Sequence, residues 1–150
     1  MNTYIHYGHK KFDMNKFEKI RNRASANKPF GGLWASDVES EFGWKDWSEC
    51  NDFNISSLKD FFRFTITPEA RILVIDDTKV PVPERKGFPD EPVELMKFLY
   101  PILPDFEKIS REYDVIDFRY SDGFGLDRKF YTWDCDCVLI MNPNVISIID

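Results

Sequence analysis

The chain lacks any apolar stretch long enough to cross a membrane. None of its hydrophobic runs approaches the roughly 18 residues that a membrane-spanning helix requires. The first residues carry two histidines and two lysines and lack the apolar core of a secretory signal peptide. We therefore expect a cytoplasmic protein that has no membrane partner.

Cysteine is scarce and odd in number, with Cys50, Cys135 and Cys137 as the three residues. A low, odd count is typical of a reducing compartment, where thiols stay free. The C-x-C pair with its flanking aspartates could hold a metal, but no second ligand pair has zinc-type spacing. We expect structural thiols and no metal site.

Motifs of several enzyme classes are also missing. The sequence contains no P-loop, no nucleophile elbow and no H-E-x-x-H segment. With only two histidines, a serine-type triad would depend on His6 or His9, and no spacing supports one. Internal repeats and low-complexity tracts are absent too, and 150 residues is a common length for one domain. We expect a single domain over residues 1–150.

Aromatic side chains, by contrast, are abundant and predict an aromatic-rich core. They make up 16% of the chain, with 14 Phe, and this content argues against disorder. The net charge of −6 argues against non-specific nucleic-acid binding as the main role. Charge is unevenly distributed along the chain. Residues 1–30 contain seven basic and two acidic residues, a local net charge of +5, so residues 31–150 carry a net charge of −11. This basic arm could receive a phosphate-bearing ligand, or it could be a solvated helix face.

Hydrophobic periodicity and turn residues predict an α+β domain on an antiparallel or mixed sheet, with three or four short helices. The predicted strands cover residues 3–8, 31–36, 61–67, 71–75, 115–120, 134–141 and 145–149. The predicted helices cover residues 14–20, 38–50, 92–99 and 105–112. The strands at 61–67 and 71–75 are expected to pair as a hairpin, and residues 121–129 to form an exposed loop.

Three segments, far apart in the chain, each place a polar or aromatic side chain where a predicted strand meets a loop. They are YIHYGH at residues 4–9, GGLWAS at 31–36 and WDCDCVLIMNP at 133–143. His6 is either a hydrogen-bonded core residue or a site residue, and Gly8 after it permits close approach of a ligand. The paired glycines at 31–32 could line a phosphate or ribose site, although a lone pair is weak evidence. His9 is expected to face solvent.

The aromatic and acidic residues of these segments, Trp34 and Asp136, can also be interpreted in two ways. Trp34 can stack on a flat heterocycle or belong to the core, whereas Trp44 and Trp47 are more typical of core positions. Asp136 precedes an apolar run, where an aspartate is costly unless it lies at the strand end or is satisfied. It either faces a cleft or caps a turn and pairs with a basic residue at position 128 or 129.

The order of these segments resembles the His-Tyr-Glu signature of ADP-ribosyltransferases of the diphtheria-toxin and poly-ADP-ribose-polymerase type. In that family the histidine lies on the first strand, and the tyrosine lies on the next strand, in a glycine-led stretch before a helix. The glutamate opens a late strand, before an aliphatic run and an Asp-Pro or Asn-Pro turn. This chain is similar, with His6 in the first segment, Trp34 after the glycine pair, and Asp136 before the run that ends in Asn142-Pro143.

The resemblance implies a split sheet and an enzyme that cleaves the nicotinamide glycosidic bond of NAD, its substrate, and transfers ADP-ribose to an unknown macromolecular acceptor. Asp136 would hold the nicotinamide ribose and stabilise the oxocarbenium-like charge. His6 would hydrogen-bond the adenosine-side ribose, and Trp34, or less readily Tyr7, would stack on the nicotinamide. The other residues implied at the dinucleotide site are Gly8, Gly32 and Ser36. The family also implies a toxin or phage-defence role, with an inhibitory antitoxin protein as a partner.

Two departures from the signature keep alternatives open. The carboxylate is an aspartate, one methylene shorter than glutamate, and Asp134 on the same predicted face is a second candidate. The aromatic residue is Trp34, with Leu33 where tyrosine is expected, and a slip of one residue reverses the face of a strand. The chain could instead be an inactive nucleotide- or protein-binding module on the same scaffold, or an RNA-end or 2′-phosphate transferase that also uses NAD.

Overall fold

Seven strands and two α-helices make up the regular structure in a computed structural model that describes residues 1–23, 26–76, 82–85, 103–120, 130 and 132–149. The strands are β1 (Thr3–Tyr7), β2 (Leu33–Asp37), β3 (Phe61–Ile66), β4 (Ile72–Ile75), β5 (Val115–Phe118), β6 (Cys137–Ile140) and β7 (Ile146–Ile149). The helices are α1 (Trp44–Asn51) and α2 (Phe106–Glu112), with 3-10 turns at Met14–Lys16, Ile55–Lys59 and Pro143–Val145. Within these ranges, no helix combines the length and apolar character needed to span a bilayer.

All seven strands belong to one sheet in the order β4-β5-β6-β2-β1-β3-β7, which confirms the predicted α+β class with a mixed sheet. Only β4 and β5 run parallel, and every other neighbouring pair is antiparallel. The predicted hairpin of residues 61–67 and 71–75 is wrong, because β3 pairs with β1 and β7 whereas β4 lies at the opposite edge. The buried Asp114 carboxylate accepts the backbone N–H of Arg71 at 2.9 Å and thereby holds the start of β4 beside β5.

Side-chain alternation buries both faces of this sheet. One face carries Leu73, Phe118 and Leu139 and packs against the α2 residues Phe106 and Ile109. The other face packs around a second cluster that includes Tyr4, Phe62, Phe64, Val138 and Ile140. The predicted aromatic core is confirmed, since Phe64, Phe106 and Phe118 are among the largest fully buried side chains.

Of the predicted helices, the one at 105–112 is confirmed, because Asp105 caps α2 by accepting from the N–H of Lys108 at 3.1 Å. The helix predicted at 38–50 begins only at Trp44, because β2 extends to Asp37 and a turn follows it. The helix predicted at 14–20 is a single 3-10 turn, which Asp13 caps by accepting from the N–H of Asn15 at 3.0 Å. The helix predicted at 92–99 and the loop at 121–129 lie outside the described residues.

Candidate functional site

The sheet is split between β1 and β2. These strands pair only at Tyr4 with Asp37 and at Ile5 with Ser36. Beyond this point the side chain of His6 takes the place of the backbone ladder, and its Nδ1 lies 2.6 Å from the carbonyl oxygen of Trp34. β1 continues to pair with β3, and β2 with β6, so the sheet divides into β1-β3-β7 and β4-β5-β6-β2. A cleft is therefore available between the two halves.

A cavity of about 430 Å³ opens on one side of this split. Its walls are aromatic, formed by Tyr7, Trp34, Trp44 and Trp133, and we name it the aromatic cavity. The rings of Trp34 and Trp133 meet edge to face, with centroids 4.9 Å apart. Polar groups that reach the cavity include His6, Lys28, Asn54, Ser57 and Asp134. Such a site can hold a flat ring and place polar groups at its rim.

A second cavity, of about 450 Å³, lies on the other side of the split. Lys10, Lys11 and Lys16 line it, and we name it the cationic cavity. Its apolar wall is formed by Phe12, Phe17 and Phe62, and two carboxylates, Asp13 and Asp60, also reach it. The residues shared by both cavities are His6, Gly8, His9 and Trp34. The two cavities therefore meet at the histidines.

The imidazoles of His6 and His9 form a hydrogen-bonded pair at this junction. A carbonyl oxygen only accepts, so Nδ1 of His6 carries the proton that is donated to Trp34. Burial lowers the pKa of His6, the charge of His9 acts in the same direction, and the bond to Trp34 opposes them. The neutral ring has a lone pair at Nε2, which accepts from Nδ1–H of His9 at 2.8 Å. His9 is exposed, as predicted, but it also belongs to the site.

Most of the residues predicted for a dinucleotide site come together here. The aromatic cavity is lined by His6, Tyr7, Gly8 and Trp34. Gly32 instead lines the cationic cavity, and its φ of +75° is one that residues with a side chain rarely adopt. A Cβ at Gly32 would lie 2.6 Å from Cδ1 of Leu139, so the packing of β2 against β6 favours glycine there independently of any ligand.

Asp136 and Ser36 lie outside both cavities, and this corrects the expectation for these two residues. Asp136 shares a face with Val138, on the side of the sheet away from the aromatic cavity, where it lines a pocket of about 220 Å³. Its carboxylate accepts from the hydroxyl of Ser40 at 2.7 Å and from the N–H of Tyr120 at 2.6 Å. Ser36 is buried, donates to the carbonyl of Asp136 at 2.9 Å and accepts from the N–H of Trp44 at 3.0 Å. Through these hydrogen bonds, both residues link the start of β6 to the segment that connects β2 and α1.

Among the residues that the structure describes, Asp134 is the one carboxylate that lines the aromatic cavity. The sequence predicts Asp134 and Asp136 on one face, because it extends the strand from residue 134. β6 begins only at Cys137, so strict alternation does not hold before it, and the two aspartates reach different cavities. Asp134 is exposed at the rim, where a ligand can reach it.

The three cysteines differ in exposure, since Cys135 is buried, Cys137 is half-buried and Cys50 is exposed. All three are free, and Cys135 is buried beside Cys137 at the wall of the aromatic cavity. A hydrogen bond with Cys135 and burial raise the pKa of the Cys137 thiol well above its usual range, so little thiolate forms at neutral pH. Across the described part of the chain, no three His, Cys, Asp or Glu side chains gather in a way that could hold a metal ion.

Sequence reasoning missed several residues of the aromatic cavity, and Trp44 and Lys28 are two of them. Trp44, predicted as core, is half-buried and stacks on Trp47 with centroids 5.2 Å apart, so one side of it remains open to the cavity. Lys28 approaches the ring of Trp34 at 5.9 Å from a loop that has no periodicity. The position of Trp44 at the start of a helix after a glycine was the available signal, whereas nothing in the pattern marks Lys28.

Comparison with protein-family models, with curated proteins and with solved structures finds no match for this chain. The split sheet and its two cavities are thus the basis for assigning a function. They favour a ligand that has a flat ring at one end and negative charge further along.

Proposed function

We propose that this chain binds a nicotinamide dinucleotide across the split and cleaves its nicotinamide glycosidic bond, passing ADP-ribose to an acceptor. The meeting of an aromatic and a cationic cavity at His6 is the observation that carries this proposal. A nicotinamide dinucleotide joins a flat, positively charged pyridinium ring to an adenosine half that carries phosphate. Aromatic faces attract a planar cation, and lysine ammonium groups attract phosphate.

The position of the signature-like segments supports the same function. The three segments that resemble the His-Tyr-Glu signature lie on β1, β2 and β6, which are neighbours in the sheet although they are far apart in sequence. The imidazole of His6 spans the split to the backbone carbonyl oxygen of Trp34, at a distance of 2.6 Å. In the proposed complex, the nicotinamide stacks against Trp34 and the adenosine-side ribose binds His6.

Asp134 supplies the carboxylate in this proposal, in place of Asp136. As the bond between C1′ and the nicotinamide nitrogen breaks, its electron pair leaves with the neutral nicotinamide, and positive charge develops on the ribose ring. A carboxylate beside the ribose stabilises that charge. The acceptor then forms the new bond to C1′ with its lone pair and releases its proton to solvent.

Release of free nicotinamide tests the proposal directly. The purified chain is incubated with NAD and, separately, with NADP, each with and without cell lysate as a source of acceptors, and nicotinamide is separated by chromatography. Asp134→Asn should abolish most of the release while leaving the thermal unfolding curve unchanged, because the carboxylate is exposed. Glu112→Gln, an equally exposed change at the end of α2, is the matched control and should keep full activity. Equal release by wild type and Asp134→Asn would contradict the role given to Asp134.

One observation favours a second function, a nucleotide-binding module without turnover. The aspartate that matches the signature glutamate in sequence, Asp136, is held by Ser40 and Tyr120 on the far side of the sheet. If no carboxylate is placed beside the ribose, the cleft can bind a dinucleotide without breaking it. Calorimetric binding of NAD or NADP, with no nicotinamide released under any of the conditions above, would establish this alternative.

A further inference from the structure

The His6–His9 pair indicates where a ribose hydroxyl and its neighbouring substituent would lie. Nδ1 of His6 is committed to the carbonyl of Trp34, so only Nε2 is available to a ligand. In the structure Nε2 accepts from His9. A ribose hydroxyl that donates to Nε2 takes the position of the His9 N–H, and this inference rests on the proposed function for the binding of the ribose there.

The group next to that hydroxyl is then within reach of the cationic cavity. His9 lines both cavities, so a ligand atom that replaces its ring lies at the mouth of the cavity lined by Lys10, Lys11 and Lys16. Beyond the lysines, the wall formed by Phe12, Phe17 and Phe62 offers ring faces to a purine. The cavity therefore has separate places for a base and for an anion beside the ribose.

The anion that suits this place is a phosphate monoester. Such a group carries nearly two negative charges at neutral pH and three acceptor oxygens, which several lysines can share. All three lysines are exposed at the rim, so their ammonium groups can move onto a ligand. Two carboxylates also line the cavity, Asp13 and Asp60. One oxygen of Asp13 already accepts a hydrogen bond from the N–H of Asn15 at 3.0 Å.

We infer that the preferred dinucleotide carries a phosphate on the ribose that His6 binds, so that the substrate is NADP rather than NAD. Lys10, Lys11 and Lys16 act as the residues that determine this specificity. The displaced His9, at the same cavity mouth, can supply a further donor to the phosphate.

Binding of small adenosine phosphates to the full chain tests the inference without relying on turnover. AMP is the reference ligand, ADP adds a phosphate to the 5′ chain, and 2′,5′-ADP adds one to the ribose. Titration calorimetry should show 2′,5′-ADP binding at least about tenfold more tightly than both others, as expected for charge-assisted hydrogen bonds to one added phosphate. Lys10→Gln combined with Lys11→Gln should remove most of that preference, whereas Lys108→Gln on α2 should retain it.

The outcomes separate this inference from the proposed function. Preference for 2′,5′-ADP that depends on the lysines, together with no nicotinamide release, would support the phosphate site and contradict the enzyme activity. Faster nicotinamide release from NAD than from NADP would support the activity and overturn the inference. Equal or tighter binding of ADP than of 2′,5′-ADP would also overturn it, and would assign the lysines to the diphosphate.

Discussion

The imidazole of His6 binds the carbonyl oxygen of Trp34 at 2.6 Å, at the point where β1 and β2 stop pairing. The side chain of His6 thus forms a hydrogen bond to β2 where the backbone of β1 no longer does. The same contact fixes the tautomer of His6 and turns its second nitrogen toward the junction of the two cavities. His6 therefore both bridges the split in the sheet and presents the nitrogen that would bind the ligand.

This coupling predicts a loss of stability on mild acidification. Burial lowers the pKa of His6 below its ordinary value of 6.5, so below that pH the unfolded chain binds a proton that the folded chain does not. The free energy of unfolding should be at its full value above the ordinary histidine pKa of about 6.5 and should fall as the pH drops below it. Urea unfolding at several pH values measures this slope.

His6→Gln is the informative variant, because glutamine can still donate to Trp34 but does not titrate. It should lose most of the slope. His9→Gln should keep most of it, since His9 is exposed and only adds to the shift at His6. An unchanged slope in His6→Gln would show that another group is responsible.

The two aspartates before β6 are expected to have opposite effects when each is changed to asparagine. Asp134→Asn should reduce nicotinamide release by roughly 10²–10³-fold with little change in stability, since it removes charge stabilisation in the transition state. Asp136→Asn should lower the free energy of unfolding by about 1–3 kcal/mol, because it weakens the contacts to Ser40 and Tyr120. Activity per folded molecule and chemical unfolding, measured on both variants, give the comparison. A reversal of the two effects would return the catalytic role to Asp136.

Asp114 is predicted to be a main electrostatic support of the fold. Its buried carboxylate accepts from the guanidinium of Arg71 at 3.0 and 3.2 Å and from the amide of Asn142 at 3.0 Å. The hydrogen bonds from Arg71 hold the pKa of Asp114 well below its usual range, although burial opposes them. Asp114→Asn should cost roughly 1.5–3 kcal/mol of unfolding free energy at neutral pH.

The contribution of Asp114 should also depend on acid, and a matched surface pair provides the control. The stabilisation by Asp114 is fully present above the ordinary aspartate pKa near 3.8. It is lost as the pH falls below this value, because the unfolded chain then binds a proton that the folded chain does not. Asp117→Asn removes the partner of Arg119 at 3.1 Å and should cost less than about 1 kcal/mol, because the side chain of Asp117 is 23% exposed whereas that of Asp114 is 8% exposed. Equal costs for the two variants would contradict the special position of Asp114.

The same carboxylate explains why the sequence predicts strands better than their partners. Alternation of apolar residues is local, and it located β3, β4 and β5 to within two residues at either end. Partner choice for β4 depends on Asp114 and Arg71, which are 43 positions apart, and no local pattern contains that contact. The short connection between the predicted strands 61–67 and 71–75 therefore indicated a hairpin that the fold does not make.

In the candidate site too, residues in regular strands could be predicted from the sequence, whereas residues placed by contacts distant in sequence could not. His6, Tyr7 and Trp34 could be found because each lies where a strand with a clear pattern ends. Asp136 shares a face with Val138, as alternation predicts, but that face lines a different pocket, so the resemblance misplaced it at the ligand site. Asp134 was misplaced because the strand was extended from Cys137 back to residue 134, where alternation does not hold. Lys28 lies in an irregular loop, so its approach to Trp34 depends on tertiary packing alone.

The paired glycines before β2 give a last prediction, in which backbone geometry separates three similar changes. Gly31 has a φ of +79°, and a Cβ there would lie 2.3 Å from the carbonyl oxygen of Lys19, which is main chain and has little room to move. Gly8 also has a positive φ, +110°, but a Cβ would meet nothing within 4 Å. Gly8→Ala should therefore cost only the backbone strain of about 1–3 kcal/mol.

Gly31→Ala should cost clearly more than Gly8→Ala, because the clash with Lys19 adds to the strain. Gly32→Ala should fall between them, since the closest atom, Cδ1 of Leu139 at 2.6 Å, belongs to a side chain that can shift within the core. Urea unfolding of the three variants under one condition gives the order. Gly8 lies at the junction of the cavities, so a stable Gly8→Ala protein that binds 2′,5′-ADP less tightly would also show that the ligand approaches the backbone there. An order in which Gly8→Ala is the least stable would mean that strain at the split outweighs steric overlap at the start of β2.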